Sequence, residues 1–287
     1  MDSTLNTTFK IGDSQFLFNN KSLKTVACFA TKNDYFFHHQ FLLLTLLTDH
    51  STPEWFAINN TSAIAIKHGI CTDDKLTDVT YGFHKKTING INVIGKEKKK
   101  YCGIDEPFPT LHFEEHKGSL PYPYLGKEPA INILHDLRHL RFAFGLDLQS
   151  VKEKGFEIKL DKNALMSVTK GLKALKNLSL IDGLAVVDVS IMNIETQNTV
   201  LVLSYQSDSC NQQIHIPIKV NPNQGDYPQT QYFEIKRLLF IFDVLLRMKP
   251  VNSVSMWIDS TYTDSPIAIK FKSTYGDIVN LIVKPLA

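Results

Sequence analysis

The chain lacks any long hydrophobic run. Its most apolar stretch, FLLLTLL at 41–47, is far too short to span a bilayer. The opening residues MDSTLNTTFK are polar and contain no apolar core of the kind a signal peptide carries. Cysteine is scarce: Cys28, Cys71, Cys102 and Cys210 stand far apart and form no CxxC pair. That spacing argues against a cysteine zinc site and suits a reducing compartment. Charge of one sign is missing as well. With 31 Lys+Arg against 29 Asp+Glu the formal charge is only +2, so a nucleic-acid face must come from local arrangement. GxGxxG, GxxxxGK[ST] and GxSxG are absent, which removes the commonest nucleotide-binding and hydrolase signatures. What is present is a 43% hydrophobic composition, enough to bury a core. The expectation is a soluble, intracellular protein of one large or two ordinary domains.

Along the chain, TFKIGDSQFLF reads as a strand and turn. NNKSLKTVACFATK reads as a short helix with Asn20 as its cap, Leu23, Val26, Ala27 and Ala30 on one face, and Lys21, Lys24 and Lys32 beside it. FFHHQFLLLTLL is ambiguous between strand and helix. EWFAINN and SAIAIKHGI predict a hairpin turning at Asn59–Thr61. Residues 72–100 are polar and strand-poor, with a KEKKK run at Lys96–Lys100 that is either a solvated loop or a phosphate-contacting one. Residues 103–129 hold Pro107, Pro109, Pro121, Pro123 and Pro129, which predicts an extended insertion. EPAINILHDLRHLRFAF predicts a helix with Pro129 in its first turn and Gly145 at its end.

From Gly155 the pattern is cleaner. GFEIKL is a strand, and Asp161 caps a helix whose apolar face is Leu165, Val168, Leu172 and Leu175. LAVVDVSIM, TVLVLSYQ and QIHIPIKV follow as strands. QYFEIKRLLFIFDVLLRMKP is a second amphipathic helix, stopped by Pro250. SVSMWID, PIAIKF and IVNLIVKPL then close the chain as a meander, with turns at TYTDS and at KSTYGD, which contains Gly276. Residues 155–287 therefore read β-α-βββ-α-βββ, one unit used twice.

That ending, above all SPIAIKF, the Gly276 turn and the final IVNLIVKPLA, resembles the last half-domain of a DNA sliding clamp, the PCNA-like polymerase processivity factor. The resemblance implies an α+β fold of repeated helix and antiparallel meander units in two domains, 1–154 and 155–287. The first domain would be divergent, because the expected closing strands are missing or rearranged before GFEIKL. It implies a clamp that encircles double-stranded DNA without reading sequence, performs no covalent chemistry, needs no cofactor, and tethers a DNA polymerase and other peptide-motif partners. A homo-oligomeric ring, a trimer by preference, is the matching assembly. The Lys/Asn-rich composition suggests a viral or phage source. The DNA-lining candidates are Lys162, Lys170, Lys173 and Lys176 on one helix, Lys236 and Arg247 on the other, and Lys21, Lys24, Arg138 and Arg141 in the first domain. The partner-peptide pocket implied by the local match comprises Pro266, Leu281, Val283 and Pro285. Ordinary solvated lysines and ordinary sheet packing explain any single one of these positions. A monomeric clamp-fold processivity factor or an assembly scaffold is the structural alternative. The HDxxH cluster of His135, Asp136 and His139 leaves a metal-dependent phosphohydrolase as the enzymatic one, although HExxH is absent.

Overall fold

The structure, a computed structural model, describes residues 6–11, 14–31, 36–46, 53–67, 79–86, 88, 101–104, 111–113, 118–120, 127–182, 186–194, 198–208, 210–220, 227–259 and 264–286. The KEKKK run and most of the proline-rich stretch lie outside these residues. The chain divides into two compact units, Met1–Phe144 with Tyr275–Val279 and Gly145–Thr274 with Asn280–Ala287.

In the first unit, β1 (Asn6–Ile11) and β2 (Ser14–Asn19) form a hairpin that leads into α1 (Asn20–Phe29). The cap is Asn19 and not Asn20: the Asn19 side chain accepts from the Lys21 backbone N–H. The ambiguous segment resolves into a short 3-10 turn (Phe37–Gln40) and then strand β3 (Phe41–Leu46). β4 (Glu54–Ile58) and β5 (Ser62–Lys67) form the expected hairpin. Asn59 Oδ1 accepts from the backbone N–H groups of Thr61 and Ser62, which fixes the turn. Strand β6 (Val79–His84), absent from the sequence reading, pairs with β3 to give the order β5-β4-β3-β6. Its sequence, VTYGFH, is too polar at alternate positions to stand out beside its neighbours. β7 (Tyr101–Ile104), β8 (Leu111–Phe113) and β9 (Gly118–Leu120) join β1 and β2 in the order β2-β1-β7-β8-β9. α1 packs on β4 and β5 through Leu23, Val26 and Phe29, all buried.

The long helix α2 (Lys127–Lys154) runs straight through Gly145, which was expected to end it. One internal glycine costs a helix only about 1 kcal/mol. The division between units falls within this helix, whereas the sequence placed the boundary at 154/155.

The second unit contains the repeat. β10 (Gly155–Leu160) enters α3 (Lys162–Asp182), which is followed by β11 (Val186–Ile194), β12 (Asn198–Gln206) and β13 (Asn211–Pro217). After the two-residue β14 (Lys219–Val220), β15 (Gln231–Glu234) enters α4 (Ile235–Met248), followed by β16 (Val254–Asp259), β17 (Ile267–Lys272) and β18 (Ile278–Val283). Each copy's leading strand pairs with the other copy's meander: β10 lies antiparallel to β16, and β15 antiparallel to β11. The two sheets of this unit are β13-β12-β11-β15 and β14-β10-β16-β17, the latter continued by the last residues of β18.

α3 begins as expected, with Asp161 Oδ1 accepting from the Ala164 N–H at 2.9 Å. α4 ends at Lys249, whose left-handed backbone (φ 50°) lets its N–H reach the Leu246 carbonyl before Pro250. Eight of the fourteen α4 residues are buried, among them Leu238, Ile241, Phe242 and Leu245. Truncating a fully buried leucine such as Leu245 to alanine typically costs about 2–5 kcal/mol. Gly171, central in α3, is the close-approach point: a Cβ there would stand 3.2 Å from Ile214 Cδ1 and 3.5 Å from Leu203 Cδ1.

Candidate nucleic-acid interface

α3 and α4 pack against each other, burying Leu165, Val168, Leu172 and Leu175 on one and the apolar face of α4 on the other. The charged side chains that remain outward are mostly basic. Lys162, Lys170 and Lys173 of α3 are exposed and Lys176 is half-buried at the border; Lys236 and Arg247 of α4 are exposed. Over residues 162–179 and 235–248 the sequence holds one carboxylate, Asp243. Asp243 lies 3.6 Å from Lys173 Nζ, with both side chains well exposed. The remaining cation, Arg237, turns away toward Glu234 at 3.7 Å and the Lys284 carbonyl. Over these residues the two helices thus carry six of the predicted cations against one negative charge, with a second carboxylate, Asp182, at the end of α3. Such a face can hold phosphates by point-charge attraction, a contact that carries no sequence information.

The four candidates of the first unit separate into two kinds. On α1, Lys24 is exposed and Lys21 lies over the Tyr275 ring at 5.4 Å, on a helix with no carboxylate between Asn20 and Phe29. On α2, Arg138 is exposed, but Arg141 binds Glu54 through both nitrogens, Nη2 to Oε2 at 2.9 Å and Nε to Oε1. Glu54 is only 6% exposed, so this is a structural ion pair and not an open phosphate contact. The sequence could not show it, because the partners are 87 residues apart.

The pocket candidates are mostly inside. Leu281 and Val283 are fully buried and Pro285 is buried, because both faces of β18 are covered; only Pro266 is partly exposed. The chain end beside them is pinned: the Leu286 N–H donates to the Tyr232 carbonyl at 2.7 Å, and Gln231 Nε2 donates to the Ser265 carbonyl at 2.8 Å. Tyr232, which the sequence reading passed over, is 45% exposed there. Its cross-strand partner Asp188 has its carboxyl pushed up by burial.

His135 and His139 sit on the exposed side of α2, their Nε2 atoms 3.1 Å apart, with Asp136 4.0 Å from His135. Among the described residues no group of three potential ligands surrounds them or any other point. No described helix is long and apolar enough to cross a membrane.

No sequence-family profile matches the chain, and no curated protein matches it. Its likeness is to solved structures. The Helicobacter pylori beta clamp bound to a DNA ligase peptide aligns with TM-score 0.61 at 10% identity, over 93% of this chain and 63% of that one. A putative DNA polymerase III beta subunit from Eubacterium rectale aligns with TM-score 0.60 at 10% identity, over 100% and 74%. The DNA polymerase sliding clamp of Bacillus subtilis gives 0.58 at 11% identity, over 93% and 62%. The chain therefore spans a little under two thirds of the Helicobacter and Bacillus clamps. The twice-used helix-and-meander unit and these alignments agree: the chain has the fold of the DNA polymerase sliding clamp.

Proposed function

We propose that the protein is a DNA sliding clamp, a polymerase processivity factor that holds duplex DNA against its basic helices and tethers replication proteins. The observation that carries this reading is the α3/α4 face, six cations and one carboxylate in a chain of near-zero net charge, on a fold shared with sliding clamps. The contacts are to phosphates, so binding is sequence-independent and weakens steeply with salt. In this reading Lys162, Lys170, Lys173, Lys176, Lys236 and Arg247 line the DNA path, joined by Lys21, Lys24 and Arg138. Arg141 is left out because Glu54 holds it. Peptide partners dock at the chain end around Pro266, Pro285 and Tyr232; Leu281 and Val283 form its floor. The reading calls for no covalent step and no cofactor.

Lys170→Glu with Lys173→Glu tests it. The variant should keep its melting temperature, lose duplex association and fail to stimulate polymerase on a circular template; unchanged binding and processivity would remove the lining assignment. Encirclement further requires closure into a ring of identical chains. Light scattering should give a sharp multiple of 32.6 kDa, three by the sequence expectation. A strict monomer at every concentration would leave the clamp fold without a ring.

A further inference from the structure

The sheet β14-β10-β16-β17 carries a second basic array on the face turned away from its core. Alternate residues of a strand point to opposite faces, and residues directly paired across strands share one. Ile158, Met256 and Ile269 are buried in one row. The adjacent register, on the other face, reads Lys219 opposite Lys159, Lys159 opposite Ser255, and Ser255 opposite Lys270. Lys159, Lys219 and Lys270 are exposed, and Lys272 follows two residues along β17, also exposed. Lys152 reaches the same face from α2. Its Nζ lies 5.3 Å over the half-buried Trp257 ring and 3.4 Å from Asn280 Oδ1.

Like charges directly opposed across strands destabilise a sheet. A lysine at a sheet edge discourages edge pairing, which accounts for Lys219 on β14. It does not account for Lys159 or Lys270, which lie on interior strands. Glu157, two residues before Lys159 and opposite Trp257, and Asp259, two residues beyond Trp257, are the carboxylates of this register at one end of the array. The repulsion registers in Lys152: burial, and then the charge of Lys270, lower its amine to about 8. A polyanion laid across the face would offset these costs.

We infer that this lysine ladder is a binding face for single-stranded nucleic acid, separate from the α3/α4 face and independent of ring closure. Three strand steps separate Lys219 from Lys270, about 14 Å at the usual strand spacing. The array is all lysine, a set of flexible point charges that can follow a backbone, with no arginine fork suited to fixed carboxylates. An aromatic ring beside a basic track is the combination that holds single strands without reading their sequence.

The test uses the full chain and a fluorescent oligothymidylate, with anisotropy read across a salt series. If all five lysines engage phosphates, log K should fall against log salt with a slope of about −3.5. Lys159→Ala with Lys270→Ala should reduce the slope to about −2 and weaken binding roughly 25-fold at 0.1 M salt. The Trp257 emission should change on binding, and Trp257→Phe should abolish that change. Lys170→Glu with Lys173→Glu should leave oligothymidylate binding in place. Equal binding by the ladder variant, with an unchanged melting curve, overturns the inference. So does displacement of the oligonucleotide by polyglutamate at equal charge concentration, which would give the face to an acidic protein. A wild-type chain that binds oligothymidylate but not duplex, or unchanged duplex association in the Lys170→Glu with Lys173→Glu variant, would overturn the clamp reading alone.

Discussion

Asp243→Asn is expected to tighten the protein's hold on duplex DNA. Over residues 162–179 of α3 and 235–248 of α4 the carboxylate is the single negative charge beside six cations, and it sits 3.6 Å from Lys173 Nζ. Both side chains are exposed, 58% for Lys173 and 40% for Asp243, so the pair itself stabilises the fold by less than about 1 kcal/mol. Removing the charge leaves the fold intact and raises the net charge facing the phosphates by one. Six cations less one carboxylate contribute about −4.5 to the salt slope on duplex, beyond any contribution of Lys21, Lys24 and Arg138; with Asn at 243 that contribution should steepen to about −5.4. At 0.1 M salt the same difference is a gain in affinity of up to about eightfold. Anisotropy of a labelled duplex at several salt concentrations reads both quantities, and a thermal melt controls for folding. An unchanged slope and affinity would mean that the Lys173–Asp243 region does not face phosphates, and the α3/α4 assignment would fall with it.

Glu54→Ala should destabilise the first unit by about 3 kcal/mol, since it strands Arg141 in a partly buried site, and Arg141→Ala added to it should recover part of the loss in a chemical denaturation series. Asp161→Ala should cost about 1 kcal/mol through the lost α3 cap, read the same way. Gly171→Ala should change stability by less than about 1 kcal/mol, because the gain in helix propensity is offset by the new contact with Ile214. For Lys152 the folded-state amine is near 8, below the ordinary 10.5, so between those values the unfolded chain binds the extra proton and stability rises with pH. Melting temperature should therefore climb from pH 8 toward pH 10 relative to a Lys152→Met variant, and parallel curves would refute the shift.

The second unit was legible because its helices and strands announce themselves locally. α4 carries apolar residues at helical spacing from Ile235 to Leu246, and the closing strands alternate between turns that include Gly276, which adopts φ 90°. The basic stripes of α3 and α4 were legible for the same reason, since lysines at 162, 170 and 173 fall on one side of a helix whatever it packs on. What escaped depended on partners distant in sequence. Gly145 looked like a stop because nothing local shows that the helix continues. Arg141 looked like a phosphate contact because Glu54 is far away in the chain. Leu281 and Val283 looked available because their burial is set by layers on both faces of β18. The lysine ladder has no local signature at all: 159, 219 and 270 become neighbours only through the register of four strands.

The exchange of leading strands in the second unit has a consequence for how the protein acquires its shape. β10 is hydrogen-bonded to the meander that begins at Val254, and β15 to the one that begins at Val186, so neither copy of the repeat completes its own sheet. Synthesis of the first copy leaves β10 without its partner until the last third of the unit exists. The unit should then fold as one late, all-or-none event dominated by contacts of long sequence separation, and so slowly for its size. A fragment ending before β16 should expose β10 as an open edge and pair with whatever strand it meets, including a second copy of itself.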